Sequence, residues 1–244
     1  MKKIIYLTDN SIDKELHSTT KKCLLQAAEG IPIISVSQGP CDIGENIDVG
    51  DIGRSWMSLY KQQIIGLEAC NPGDIVFIAE HDVLYTADHF KYEIVDRKAF
   101  HYNDHMWFLE WTDRKNLLGV YSKWPKKRLA LSQLCADRDF YLYTTDKRLK
   151  LIEGGIRYAR RFGEPGWNDE RMLKLAKRAT RGHQSLGPIF DQFMETDRHV
   201  VWKSLHPNID IRHHENFTGP RRGKDRVKNL PYWGTIEDIR KNFS

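Results

Sequence analysis

The sequence predicts an α/β protein built on a mainly parallel sheet flanked by helices. Three observations point to it: short apolar runs that stop at polar residues, amphipathic stretches between them, and a sharp turn before the most apolar run. Continuous apolar runs bounded by turns suit strands buried on both faces, and their alternation with helices implies right-handed βαβ crossovers.

Lys3 to Thr8 reads as the first strand, ending at the polar turn Asp9-Asn10. From Asp13 to Ala28, Leu16, Cys23, Leu24, Ala27 and Ala28 recur at helical spacing, and Gly30 closes the segment as a C-terminal cap would. Ile31 to Val36 gives a second strand. After a loop punctuated by Gly44, Gly50 and Gly53, Ser55 to Ala69 reads as a helix with an apolar stripe of Trp56, Leu59, Tyr60, Ile64 and Leu67. Asn71-Pro72-Gly73-Asp74 is a turn, and Ile75 to Ala79 is the clearest buried strand, running into Glu80-His81-Asp82. The second half is less regular. It offers aromatic strands at His105 to Trp111 and Leu117 to Tyr121, a helix from Thr145 to Arg161, a loop from Gly163 to Trp167, and a basic helix from Asn168 to about Arg178.

The 244 residues are 40% apolar, enough for one large domain. No apolar run approaches the roughly 18 residues of a membrane span, and the N-terminal apolar run stops at Thr8, so a cytoplasmic location is expected. Cys23, Cys41, Cys70 and Cys135 lack zinc-finger spacing and read as reduced thiols.

Ligands of open parallel sheets bind beyond the carboxyl ends of the strands. Thr8-Asp9-Asn10, Ser35-Ser37-Gln38 and Glu80-His81-Asp82 should therefore converge on one crevice. Side chains alternate across an extended strand, which puts Glu80 and Asp82 on one side and His81 on the other. Two close carboxylates invite a hard divalent cation such as Mg²⁺ or Mn²⁺, which bridges naturally to a diphosphate.

An E-x-D at the end of such a strand, after two strand-helix units, resembles the D-x-D-like motif of nucleotide-sugar glycosyltransferases of the GT-A fold. Glu80 stands where the strict motif has Asp, which leaves open whether Glu80 binds metal or the donor ribose. A second segment, Asn208 to Gly219, resembles the C-terminal stretch of these enzymes, where a histidine returns to the metal; His213 is the carried-over position and adjacent His214 an alternative. The resemblance implies a UDP-sugar or other nucleotide-diphosphate sugar donor and a Mn²⁺ or Mg²⁺ ion held by Asp82, His213 and Glu80. It also implies donor contacts from Thr8, Asp9, Asn10, Ser37, Gln38, Arg54, Tyr60, Lys61, Glu80, Asn216, Thr218 and Gly219, with Ser55 beside them. Within a single GT-A-like domain, residues 1–90 would form the nucleotide-sugar half, and residues 91–244 the acceptor half that completes the metal site.

The net charge is +5, and the basic residues are clustered. Lys123-Trp124-Pro125-Lys126-Lys127-Arg128 is one cluster; Arg157, Arg160 and Arg161 form another, as do Arg171, Lys174, Lys177, Arg178 and Arg181. Arg221, Arg222, Lys224, Arg226 and Lys228 follow the histidine segment. Cations interleaved with aromatics suit a groove that tracks phosphates and stacks on bases. On that basis the chain resembles phage-encoded glycosyltransferases that modify hydroxymethylated pyrimidines in DNA, which places Lys123, Trp124, Lys126, Lys127, Arg128, Arg221 and Arg222 on the nucleic acid, with base flipping as the route to the hydroxyl. It would then work in the host cytoplasm. Asp169, Glu170 and Asp191, with Glu164, are the acidic candidates for receiving the acceptor proton. Retention or inversion stays open. A protein, lipid or glycan acceptor is the alternative, and a metal-dependent nucleotidyltransferase a further one, although Asp9 to Asp13 offers no glycine-rich phosphate loop.

Overall fold

The computed structural model describes residues 1–111, 119–123, 129–154, 165, 188, 198–216 and 225–243. The first half follows the expected order. Strand β1 (Lys2–Thr8) leads into helix α1 (Lys14–Ala28), then β2 (Ile33–Ser37), a short β3 (Glu45–Asp48), α2 (Trp56–Glu68) and β4 (Ile75–Glu80). After β5 (Val83–Leu84) and α3 (Ala87–Lys91) come β6 (Phe100–Asn103), β7 (Met106–Glu110) and β8 (Val120–Lys123). A 3₁₀ turn precedes β9 (Leu134–Asp137) and α4 (Arg138–Glu153). Strands β10 (His199–Trp202) and β11 (Asn208–Arg212) and helix α5 (Ile236–Phe243) complete the described elements.

The fold is α/β, with a seven-stranded sheet ordered β10-β6-β9-β4-β1-β2-β3. It is parallel except at β9, which runs against both β4 and β6. Both faces of the central strands are covered: Ile4, Tyr6, Phe77 and Ala79 pack with α1 residues Leu24 and Ala27, while Ile5, Leu7, Val76 and Ile78 pack with Leu67 of α2 and Tyr141 of α4. This two-sided burial is why β1 and β4 read as unbroken apolar runs. Gly66 lets α2 approach closely, since a Cβ there would lie 2.6 Å from Ile5 Cγ2.

Local signals set the helix ends. Asp13 accepts from Leu16 N at 2.9 Å, and Ser55 from Ser58 N at 3.1 Å, each satisfying an otherwise unpaired first-turn amide. The left-handed position ending α1 belongs to Glu29 (φ 47°), one residue before the expected Gly30. On α2 the fully buried positions include Gln62 and Gln63, whereas Trp56, Leu59 and Ile64 of the expected stripe are half-buried. Gln62 Nε2 donates to Thr8 O (2.9 Å) and Val36 O (2.8 Å), tying the carboxyl ends of β1 and β2 together. Removing it would take a hydrogen bond from each of these buried carbonyls, at about 0.5–1.5 kcal/mol apiece.

Helix α4 begins at Arg138, seven residues before the expected Thr145, because Asp137 caps it by accepting from Asp139 N and Phe140 N. The described part ends at Gly154, so the expected extension to Arg161 and the helix from Asn168 lie outside the described residues.

A second sheet, ordered β5-β11-β7-β8, packs with α5 around Trp111, Tyr121, Ile209, Ile211, Trp233 and Ile236. Strand β5 begins one residue after the acidic tripeptide and pairs antiparallel with β11. That pairing, extended by Ile211 N donating to Asp82 O at 2.8 Å, brings the histidine segment onto the end of β4.

Candidate metal and donor site

The carboxyl ends of β1, β2 and β4 lie side by side in parallel register, with Thr8 opposite Ser37 and Leu7 opposite Glu80. Polar groups are tightly organised there. Thr8 Oγ1 lies 2.8 Å from His81 Nδ1 and accepts from Asn10 N at 3.0 Å, in a turn that puts Asn10 at φ 57°. Asn10 Nδ2 donates to Gln38 O and Pro40 O, both at 3.3 Å. Gln38 in turn accepts from Ile52 N and donates to Gly53 O, ordering the loop before Arg54. Ser37 Oγ donates to Asn46 Oδ1 at 2.8 Å.

Arg54 bridges two edges of the crevice. Its Nε contacts Asp9 Oδ2 at 2.5 Å, and its Nη1 lies 3.4 Å from Glu215 Oε2. Burial alone would raise the Asp9 carboxyl, but hydrogen bonds from Ser11, the His81 imidazole and Arg54 hold it below the usual carboxylate range. Asp9 therefore stays ionised beside the crevice at neutral pH.

Strand β4 ends at Glu80, and His81 and Asp82 form a turn before β5. Side-chain alternation stops with the strand. This overturns the expectation that His81 faces away: its ring joins the Asp82 side of the site, and one ring nitrogen of His81, one carboxylate oxygen of Asp82 and one ring nitrogen of His213 all lie within 4.8 Å of one another. The His81 and His213 ring centroids are 6.2 Å apart. Glu80 is outside this group; its backbone N–H donates to Tyr85 Oη at 3.0 Å.

His213 is held with its side chain 1% exposed and its Nε2 3.8 Å from Asp82 Oδ2. Neither ring nitrogen has a hydrogen-bond partner among the described residues. Asn216 orders the turn: its Oδ1 accepts from His213 N at 2.6 Å, and its Nδ2 donates to Asp82 Oδ2 at 2.7 Å. Burial opposes ionisation of Asp82, yet His213, His81 and the Arg212 guanidinium keep its carboxyl below the ordinary range. Burial likewise pushes His81 below its ordinary value, against the pull of Asp82 and Asp9. An ionised carboxylate beside two imidazoles, one of them neutral and the other buried with unpartnered nitrogens, fits a divalent cation, since metal ligation requires deprotonated donors.

Of the residues singled out in the sequence, Thr8, Asp9, Asn10, Ser37, Gln38, Arg54, Glu80, Asp82, His213 and Asn216 lie at or beside the carboxyl ends of β1, β2 and β4, with Thr8 and Ser37 buried there. His214 is more exposed than His213, its Nε2 3.3 Å from Glu215. Tyr60 lies elsewhere, 2% exposed, with its hydroxyl accepting from Arg148 Nη1 at 3.1 Å between α2 and α4. Lys61 is on the exposed face of α2, and Lys123 is exposed at the end of β8. Glu164, Asp169, Glu170, Asp191, Thr218, Gly219, Trp124, Lys126, Lys127, Arg128, Arg221 and Arg222 lie outside the described residues. Sequence reasoning did not single out Gln62 or Glu215. It also passed over Tyr6 and His17, whose hydroxyl and Nε2 are buried without hydrogen-bond partners among the described residues; burial raises the Tyr6 hydroxyl and lowers the His17 imidazole.

No protein-family model matches the chain. No curated protein matches it. Similar solved structures include a glycosyltransferase involved in glycosylation of the major capsid of PBCV-1, at 10% identity and TM-score 0.42 over 85% of this chain and 91% of that one. The apo form of the glycosyltransferase GlyE from Streptococcus pneumoniae TIGR4 is similar at 12% identity and TM-score 0.39, over 82% of this chain and 45% of that one. Bifunctional IspDF from Campylobacter jejuni is similar at 12% identity and TM-score 0.35, over 61% and 44%. At these identities and TM-scores the likeness assigns no activity. Among the described residues, no helix is long and apolar enough to cross a membrane.

Proposed function

We propose that the protein is a metal-dependent, GT-A-like glycosyltransferase that moves a sugar from a nucleotide-diphosphate sugar, UDP-sugars first, to a hydroxyl acceptor. The observation that carries the reading is the buried His213 imidazole, unpartnered and facing the ionised Asp82 at the carboxyl end of the parallel sheet. Asp82 and His213 would hold Mn²⁺ or Mg²⁺, which when bound supplies Lewis-acid stabilisation of the departing diphosphate.

The remaining roles belong to the chain. Thr8, Asp9, Asn10, Ser37 and Gln38 would line the nucleoside side of the site, and Glu80, at the strand end, would take a ribose hydroxyl. Arg54 offers a guanidinium beside the phosphates, and Thr218 and Gly219 follow the segment that would hold them. Asn216 fixes both the Asp82 carboxylate and the His213 turn through its two hydrogen bonds. Residues 1–90 would thus serve the donor, with β11 supplying the returning ligand and the rest of residues 91–244 the acceptor.

For the acceptor, the basic clusters of the sequence favour a polyanion, and a hydroxymethylated pyrimidine in DNA combines a polyanionic backbone with a free hydroxyl. Asp169, Glu170 and Asp191 are the candidates for taking its proton. The test is to incubate the protein with a panel of nucleotide sugars, Mn²⁺ and hydroxymethyl-pyrimidine DNA, then weigh the digested nucleosides. A sugar adduct is expected. Donor hydrolysis without an adduct would point to a protein, lipid or glycan acceptor, and absence of both would overturn the class. A mobility shift that weakens steeply with salt is the accompanying expectation for DNA; no shift at low salt would remove DNA as the acceptor.

A further inference from the structure

We infer that His81, the middle residue of the tripeptide, is a direct metal ligand, so that the centre is a His81–Asp82–His213 set held in place by Thr8, and that it takes Mn²⁺ and similar transition cations in preference to Mg²⁺. This deepens the reading of the metal site and rests on that site being a metal centre, but not on the identity of donor or acceptor.

The geometry comes first. A middle residue would point away if the strand continued, but β4 stops at Glu80 and the turn swings the imidazole inward. One atom from each of the three side chains then falls within 4.8 Å of the others, a spacing that a single cation between them would satisfy. Glu80, which strand alternation would pair with Asp82, is not part of the set.

The second observation is orientation. Ligating histidines commonly use one ring nitrogen for an orienting hydrogen bond and the other for the metal. His81 Nδ1 lies 2.8 Å from the Thr8 hydroxyl and 3.7 Å from Asp9 Oδ1, an orienting contact that would leave Nε2 as the ring nitrogen for a metal. Thr8 is itself fixed, because its Oγ1 accepts from Asn10 N and its carbonyl is held by Gln62. The third observation is His213, whose side chain is 1% exposed and whose ring nitrogens have no hydrogen-bond partner among the described residues. A buried imidazole left unpaired beside a carboxylate is costly unless something occupies the space between them.

Metal preference follows from the donor types. Mg²⁺ favours oxygen ligands and retains its waters, whereas imidazole nitrogen suits the later first-row cations. Two imidazoles and one carboxylate shift the balance further from Mg²⁺ than Asp82, Glu80 and one histidine would. Three protein donors also leave positions open for phosphate oxygens.

The experiment is Mn²⁺ titration followed by electron paramagnetic resonance, with no nucleotide or sugar present. Wild-type protein should bind Mn²⁺ at least about tenfold more tightly than Mg²⁺ in competition, and spin-echo modulation should show two coordinated imidazole nitrogens. His81→Ala should lose more than about 100-fold in Mn²⁺ affinity and show one nitrogen. Thr8→Val, which keeps the ligand but removes its orienting bond, should lose about 10- to 100-fold and retain two. Apo-protein thermal unfolding would be measured beside each variant, and His81→Gln serves if His81→Ala fails to fold. Two nitrogens persisting in the His81 variant, or Mg²⁺ competing equally, would overturn the inference. Because the readout is Mn²⁺ alone, absence of sugar transfer would refute the proposed activity while leaving this result standing.

Discussion

Two buried histidines separate a site from a core. His213 and His89 each have an unpartnered, buried Nε2. His89, on α3, is 0% exposed, accepts at its Nδ1 from Asn103 Nδ2 at 3.2 Å, and is surrounded by Phe77, Tyr85, Phe90 and Trp202, the last stacked at 5.6 Å. His213 instead faces a carboxylate and a second imidazole at the ends of the parallel strands. Burial and a missing partner are common to both; the adjacent ionised oxygen and second imidazole belong to one. Burial alone therefore makes a packing histidine, and burial beside convergent donors makes a candidate ligand.

The largest effect that would test this contrast is at Asp82. Replacing a residue that merely orients a ligand costs about 10- to 100-fold in metal affinity, so Asp82→Ala should exceed that range and abolish detectable transfer. Calorimetric Mn²⁺ titration checks it, and retained affinity would break the contrast.

His89→Ala should do the reverse. Emptying a buried aromatic-sized volume should cost about 3 kcal/mol of stability, read by urea unfolding, with Mn²⁺ affinity unchanged.

Acid sharpens the comparison. Burial lowers the folded-state pKa of His89 from 6.5 to about 3, so the folded protein prefers it neutral. Above pH 6.5 neither folded nor unfolded state carries the proton, and the group has no effect. As pH falls from 6.5 towards about 3 the unfolded state alone gains it, and stability should fall by about 1.4 kcal/mol per pH unit from this residue. His81 is shifted in the same direction and adds to the slope. His89→Gln should therefore flatten the decline between those values without removing it; an unchanged slope would refute the assignment.

The smallest effect is at the rim. Arg54 is more than a third exposed, so Arg54→Ala should cost less than about 1 kcal/mol of stability despite two carboxylate contacts, while weakening nucleotide binding.

The first half of the fold was legible because β1, β2 and β4 are buried on both faces and their helices carry caps at Asp13 and Ser55, so composition and punctuation agreed. Strand β9 and the true start of α4 were not, because Leu134 to Asp137 is a four-residue strand whose antiparallel pairing depends on partners far along the chain. The same physics limits the site. Asp82 and His213 could be paired through resemblance, but the inward turn of His81 follows from where β4 stops, and that is set by β5 pairing with β11. The buried face of α2 misled in a similar way: Gln62 is interior because two strand-end carbonyls need its amide, a demand visible only when β1 and β2 are side by side.

The central claim is a cation-assisted nucleotide-diphosphate site at the end of β4. Calorimetric titration of UDP into wild-type and Asp82→Ala protein, with and without Mn²⁺, tests it most directly. UDP should bind wild-type protein at least about tenfold more tightly when Mn²⁺ is present, and Asp82→Ala should lose that gain. UDP and other nucleoside diphosphates binding wild-type protein equally with and without Mn²⁺, or not at all, would contradict it.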